Sequence, residues 1–77
     1  MSKKGQLKKA IDDCEREIEA YEHKRERSQT AIMRAMLAGK KASADDERYF
    51  TMFSNLIDQK REELRQLRAE LAELNKK

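Results

Sequence analysis

Apolar residues recur along this chain at alternating intervals of three and four. Leu7, Ile11, Cys14, Ile18 and Tyr21 hold that spacing, and Ile32 and Ala35 resume it after two polar members, Arg25 and Ser28. A second series, Phe50, Phe53, Ile57, Lys60, Leu64, Leu67, Leu71 and Leu74, keeps the same period with one polar member, Lys60. This alternation is a heptad pattern, in which positions a and d share one helix face and pack against a neighbouring helix. Two long amphipathic helices are therefore predicted.

Between the series lies the stretch Ala38-Gly39-Lys40-Lys41-Ala42-Ser43-Ala44-Asp45-Asp46, where a helix stop is followed at once by a helix start. Gly39 can take the left-handed conformation that closes a helix, and Ser43 with Asp46 three residues later reads as a capping box with Asp in place of Glu. The boundaries are predicted at about 6–38 for helix one, about 39–43 for the turn and about 44–75 for helix two. Residues 1–5 are expected to fray, because Gly5 is a poor helix former and Lys3 and Lys4 sit badly at the positive end of a helix dipole. The fold class is all-α: one antiparallel, coiled-coil-like two-helix hairpin. A chain of 77 residues obtains only roughly 3–5 kcal/mol from a single seam, so dimerisation or a partner is expected to complete the core.

Folding the arms back with a and d positions matched pairs Ala35 with Phe50, Ile32 with Phe53, Ser28 with Ile57, Tyr21 with Leu64, Ile18 with Leu67, Cys14 with Leu71 and Ile11 with Leu74. The same register sets the two polar seam residues, Arg25 and Lys60, against each other. Like charges repel, so their stems should pack and their heads reach towards Glu22, Glu26 or Glu63. Such a layer sets register, or it offers a basic spot to an acidic group on a partner.

Near the turn the apolar residues exceed what one seam can cover. Met33, Met36 and Leu37 on helix one, and Tyr49, Met52 and Leu56 on helix two, lie beside the a and d positions and form the candidate partner-binding surface. On one flank the small residues Ala31 and Ala38 would oppose the larger Tyr49 and Leu56, a shape suited to receiving another helix. The occupant is a different protein or a second copy completing a four-helix bundle.

Composition agrees with helices and narrows the chemistry. There is no Pro, only two Gly, 43% charged residues and 5% aromatics, close to the profile of long helices and coiled coils. The 18 basic residues nearly balance 15 acidic ones, for a net charge of +3, which alone does not argue for nucleic acid. Lys3, Lys4, Lys8, Lys9, Lys76 and Lys77 would nonetheless gather at one end when the hairpin closes, and nucleic acid is one ligand such an end could take. In outline a dimer of such hairpins resembles the small plasmid copy-number regulators that bind paired RNA loops. No apolar run is long enough to cross a membrane, and the charged start lacks the apolar centre of a secretory signal. The single Cys14 has no internal disulfide partner, so a cytoplasmic location is expected.

Catalysis has little support. His23, the only histidine, falls at an outward position without a second His or Cys at metal-ligand spacing. Cys14 falls on the seam as a small apolar filler. Neither the acidic clusters Asp12-Asp13 and Asp45-Asp46-Glu47 nor any Gly-rich loop forms a pocket pattern. A non-enzymatic chain without metal or cofactor is expected.

A first helix of about thirty residues closed by Gly39, a polar turn, then Tyr49 followed by Met52, Phe53 and Leu56, resembles the small co-chaperones of type III secretion needle subunits. The resemblance implies a cytoplasmic hairpin that joins a helical-repeat co-chaperone and keeps an aggregation-prone needle subunit unpolymerised before export. The leading expectation is thus a protein-interaction module, an adaptor or co-chaperone. Its alternatives are a homodimeric RNA- or DNA-binding regulator and a structural oligomer of phage or scaffold type. A domain-swapped dimer would use the same side-chain contacts as the closed hairpin.

Overall fold

The computed structural model describes Ser2 to Lys76; Met1 and Lys77, the latter one of the predicted terminal lysines, lie outside the described residues. Two helices, α1 (Lys3–Leu37) and α2 (Ala44–Asn75), fold back on one another as an antiparallel hairpin. The rod measures 59 × 16 × 16 Å. Its length is close to the roughly 52 Å that the longer helix spans at about 1.5 Å per residue.

The helix ends follow from local chemistry. α1 closes in a Schellman motif: Gly39 stands at φ 68°, Lys40 N–H donates to the Ala35 carbonyl at 2.8 Å and Gly39 N–H to that of Met36 at 3.0 Å. Only glycine adopts that backbone without strain, so the stop is written in one residue. α2 opens on Ser43, whose hydroxyl accepts the Asp46 N–H at 3.1 Å and donates to the Asp46 carboxylate at 2.8 Å. In a full capping box the acid returns to the cap's backbone N–H; here the shorter Asp meets the hydroxyl instead. Ser43→Ala removes both contacts and should cost about 1 kcal/mol, read as an earlier midpoint in thermal unfolding.

The amino end differs from expectation. α1 begins at Lys3 rather than near residue 6, because Ser2 caps it by accepting the Gly5 N–H at 3.0 Å. One satisfied orphan donor outweighs the weak helix propensity of Gly5 and the unfavourable charge of Lys3 and Lys4.

Every member of both heptad series is buried or half-buried. The core proper consists of Cys14, Ile18, Ile57 and Leu64, with Ile11, Tyr21 and Leu67 packed against it. Among the described residues Ile57 is the one large side chain wholly removed from solvent.

The register, however, is one heptad away from the predicted one. Cys14 Sγ donates to the Lys60 carbonyl at 3.3 Å, far from Leu71, and the Tyr21 ring stacks on Phe53 at 6.1 Å instead of meeting Leu64. Cys14 thus lies level with Leu64, Tyr21 with Ile57 and Ser28 with Phe50. A heptad pattern is blind to a slide of one whole repeat, since a and d layers coincide again. Two features of the side chains favour the observed slide. It brings Leu7 into the seam, where it is buried, whereas the predicted register set it opposite no residue of the second leucine series. It also parts Arg25 from Lys60, so the expected layer of two facing cations does not form.

Candidate protein-binding flank

Each cation of the seam finds its own surroundings. Lys60 lies level with Ile18, and its ammonium reaches Glu17 at 2.6 Å and Glu63 at 3.1 Å. These two carboxylates hold its pKa above the ordinary lysine range despite partial desolvation. Glu63 was among the expected partners; Glu17 comes within reach only in the observed register. Arg25 is half-buried at the level of Phe53 and pairs with neither Glu22 nor Glu26. Glu22 is engaged by Arg61 at 3.3 Å.

The hairpin has two unlike flanks. Along the first, which carries the e positions of both helices, Arg61 pairs with Glu22 and Arg68 with Glu15, each at 3.3 Å. Such exposed pairs contribute little stability, but they tie the helices in register and fill that flank with charge. The second flank carries the g positions. There the Glu17–Lys60–Glu63 cluster occupies the end near the chain termini, and apolar groups occupy the end near the turn. The Tyr49, Phe53 and Tyr21 rings form a stack, with centroids 6.3 and 6.1 Å apart. Lys24 Nζ lies 5.8 Å from the Phe53 ring centroid, a cation–π arrangement. A shallow recess there is lined by Lys24, Arg27, Ser28, Asp46, Tyr49 and Phe53.

The six candidate partner residues therefore divide. Tyr49, 49% exposed, and Met52, 42% exposed, continue with the half-buried Leu56 as one strip on this second flank. Met33, Met36 and Leu37 do not join it. Their b, e and f positions turn them to the other side, and the shifted register sets their helical turn level with the loop, past the facing segment of α2. They are correspondingly bare, up to 87% for Leu37. Ala31 is half-buried as expected of a residue beside the strip, whereas Ala38 lies exposed at the helix end.

No protein-family model, no curated protein and no solved structure matches this chain. The remaining sites rest on geometry alone. His23 is exposed and stands 3.9 Å from Glu19. Among the described residues no group of three or more His, Cys, Asp or Glu is placed to share a metal ion, and neither helix is long and apolar enough to cross a membrane. Lys3, Lys4, Lys8, Lys9 and Lys76 are exposed at the end where the termini meet. Sequence reasoning missed Lys24, Arg27 and Phe53 as parts of the candidate flank. Phe53 was counted only as seam, and the cations gain their place beside Tyr49 from the register.

Proposed function

We propose that this hairpin is a non-enzymatic protein-interaction module that works by presenting the Tyr49–Met52–Leu56 strip to a helix of a partner. The observation that carries this reading is the contrast between flanks. One is laced by cross-helix ion pairs, and the other leaves an aromatic and methionine strip half open beside a stacked aromatic cluster. Exposed Tyr supplies rigid contact area at low entropic cost and Met an adaptable one, the composition expected of a binding face. The most concrete form of the proposal is the one the family resemblance implies, a co-chaperone that joins a helical-repeat protein and restrains a self-assembling secretion subunit.

The test is a contrast between two kinds of substitution, read by capture of partner from the source cell and by circular dichroism of each variant. Tyr49→Ala and Leu56→Ala should reduce capture at least roughly tenfold while the hairpin stays helical, as for a central aromatic anchor. Leu67→Ala, which packs against the core, should instead lower the unfolding midpoint through a loss of about 2 kcal/mol. Equal loss of helicity in all three would place the binding face elsewhere.

A further inference from the structure

The charge around the strip says what kind of helix fits it. Residues 24–41 hold six cations, Lys24, Arg25, Arg27, Arg34, Lys40 and Lys41, and one acid, Glu26. Among the described residues none of these six lies within ion-pair distance of a carboxylate. Of the acids that precede them, Glu15, Glu17 and Glu22 are bound to Arg68, Lys60 and Arg61 across the hairpin. Two of the free cations, Lys24 and Arg27, border the strip on its α1 side, and Arg34 continues their line about two turns further along α1. Lys24 and Arg27 line the recess with Tyr49 and Phe53, and Arg27 also lines the adjoining recess with Ala31 and Arg34. Asp46 is the one acid in the first recess, and it is held by Ser43 in the cap of α2. Glu26 is the one acid in the second. On the α2 side the strip is bordered by the uncharged Asn55 and Gln59 and, beside Tyr49, by Asp45 and Arg48, which pair with each other at 3.0 Å. The site is an apolar track with a cationic kerb on one edge.

We infer that the occupant is an amphipathic helix whose apolar stripe is flanked by acidic residues on one side. This rests on the protein-binding reading above and specifies the partner's chemistry. A second copy of this chain fits poorly. Its acidic segment lies on α1, whose apolar stripe is already buried against α2, and Glu15, Glu17 and Glu22 of that segment are already paired across the hairpin. A partner with an acidic border would satisfy Lys24, Arg27 and Arg34 while covering Tyr49, Met52 and Leu56. A basic border would meet like charge at a desolvating interface, where rim charges act mainly on encounter and selectivity.

The experiment uses two synthetic three-heptad peptides with the same leucine stripe, one flanked by glutamates and one by lysines. Each is titrated into the full chain at low and at moderate salt, with sedimentation velocity on the free chain. The glutamate peptide should bind roughly tenfold more tightly than the lysine peptide at low salt, with the gap narrowing as salt screens it. The double variant R27E/R34E, changed only at exposed positions, should reverse that order, and Y49A should weaken both peptides. Equal binding of the two peptides, lost in Y49A, would overturn the acidic-partner inference and leave the protein-binding reading standing. Binding of neither would overturn both. A free chain that is already dimeric, and becomes monomeric in Y49A, would show the strip occupied by a second copy and overturn the inference.

Discussion

Ile57→Ala is expected to melt the isolated hairpin. Ile57 is 0% exposed and joins Cys14, Ile18 and Leu64 in the core. Truncating a buried Ile to Ala costs about 2–5 kcal/mol, from lost transfer energy and from the cavity left between two helices that cannot close on it. A single-seam hairpin of this size has only roughly 3–5 kcal/mol to lose. The deletion therefore spends most or all of the stability, and far-ultraviolet circular dichroism should show loss of most helical signal at room temperature. Two controls separate the cavity from a general sensitivity. Ile57→Val should cost about 1 kcal/mol and leave the helices formed, and Leu37→Ala, at 87% exposure, should stay within about 0.5 kcal/mol of the parent. A partner bound to the Tyr49 strip would restore helicity to Ile57→Ala by mass action, since it binds only the folded hairpin. Retained helicity in the free variant would mean that the seam contributes less than its burial implies.

The elements of this fold were legible in the sequence because each is encoded locally. Gly39 writes its own stop and Ser43 its own start, and the two heptad series name the buried face of each helix residue by residue. The register was not legible, because periodicity repeats. Sliding α2 by one heptad preserves every match of a with d, and the choice falls to terms that no window of sequence displays, here the burial of Leu7 and the parting of Arg25 from Lys60. The candidate site inherited that ambiguity. Counting surplus apolar residues named Tyr49, Met52 and Leu56, which the structure sets together on one flank. It could not tell that Met33, Met36 and Leu37 turn to the opposite flank, since flank depends on e against g position and level depends on register. The cationic kerb was invisible for the same reason: Lys24 and Arg27 stand far from Tyr49 along the chain and become its neighbours only in the observed slide.

Its place in the seam makes Cys14 a built-in reporter of opening, and its reaction with a soluble disulfide reagent should be strongly retarded. The thiol is 3% exposed and donates to the Lys60 carbonyl. Burial, reinforced by the nearby charge of Glu63, pushes its pKa above the ordinary 9.0, with Lys60 opposing. Thiolate is the reactive form, so both access and ionisation are withheld in the closed hairpin. Reaction then waits for opening, and a seam worth roughly 3–5 kcal/mol implies a rate roughly 150- to 5,000-fold below that of the unfolded chain. The pH dependence has a definite sign. Above the ordinary thiol pKa the open chain releases a proton that the closed hairpin keeps, so the open state gains and stability falls. Lys60 acts in the same sense at still higher pH, because its raised pKa lets the closed form hold a proton that the open form has lost. Stability should therefore be level between about pH 6 and about pH 8 and decline through the alkaline range, and protection of Cys14 should decline with it. Once attached, the adduct cannot fit between Ile57 and Leu64, and the labelled chain should lose helicity as Ile57→Ala does. Fast labelling of a fully helical chain would mean that Cys14 faces solvent and that the two helices do not pack through this seam.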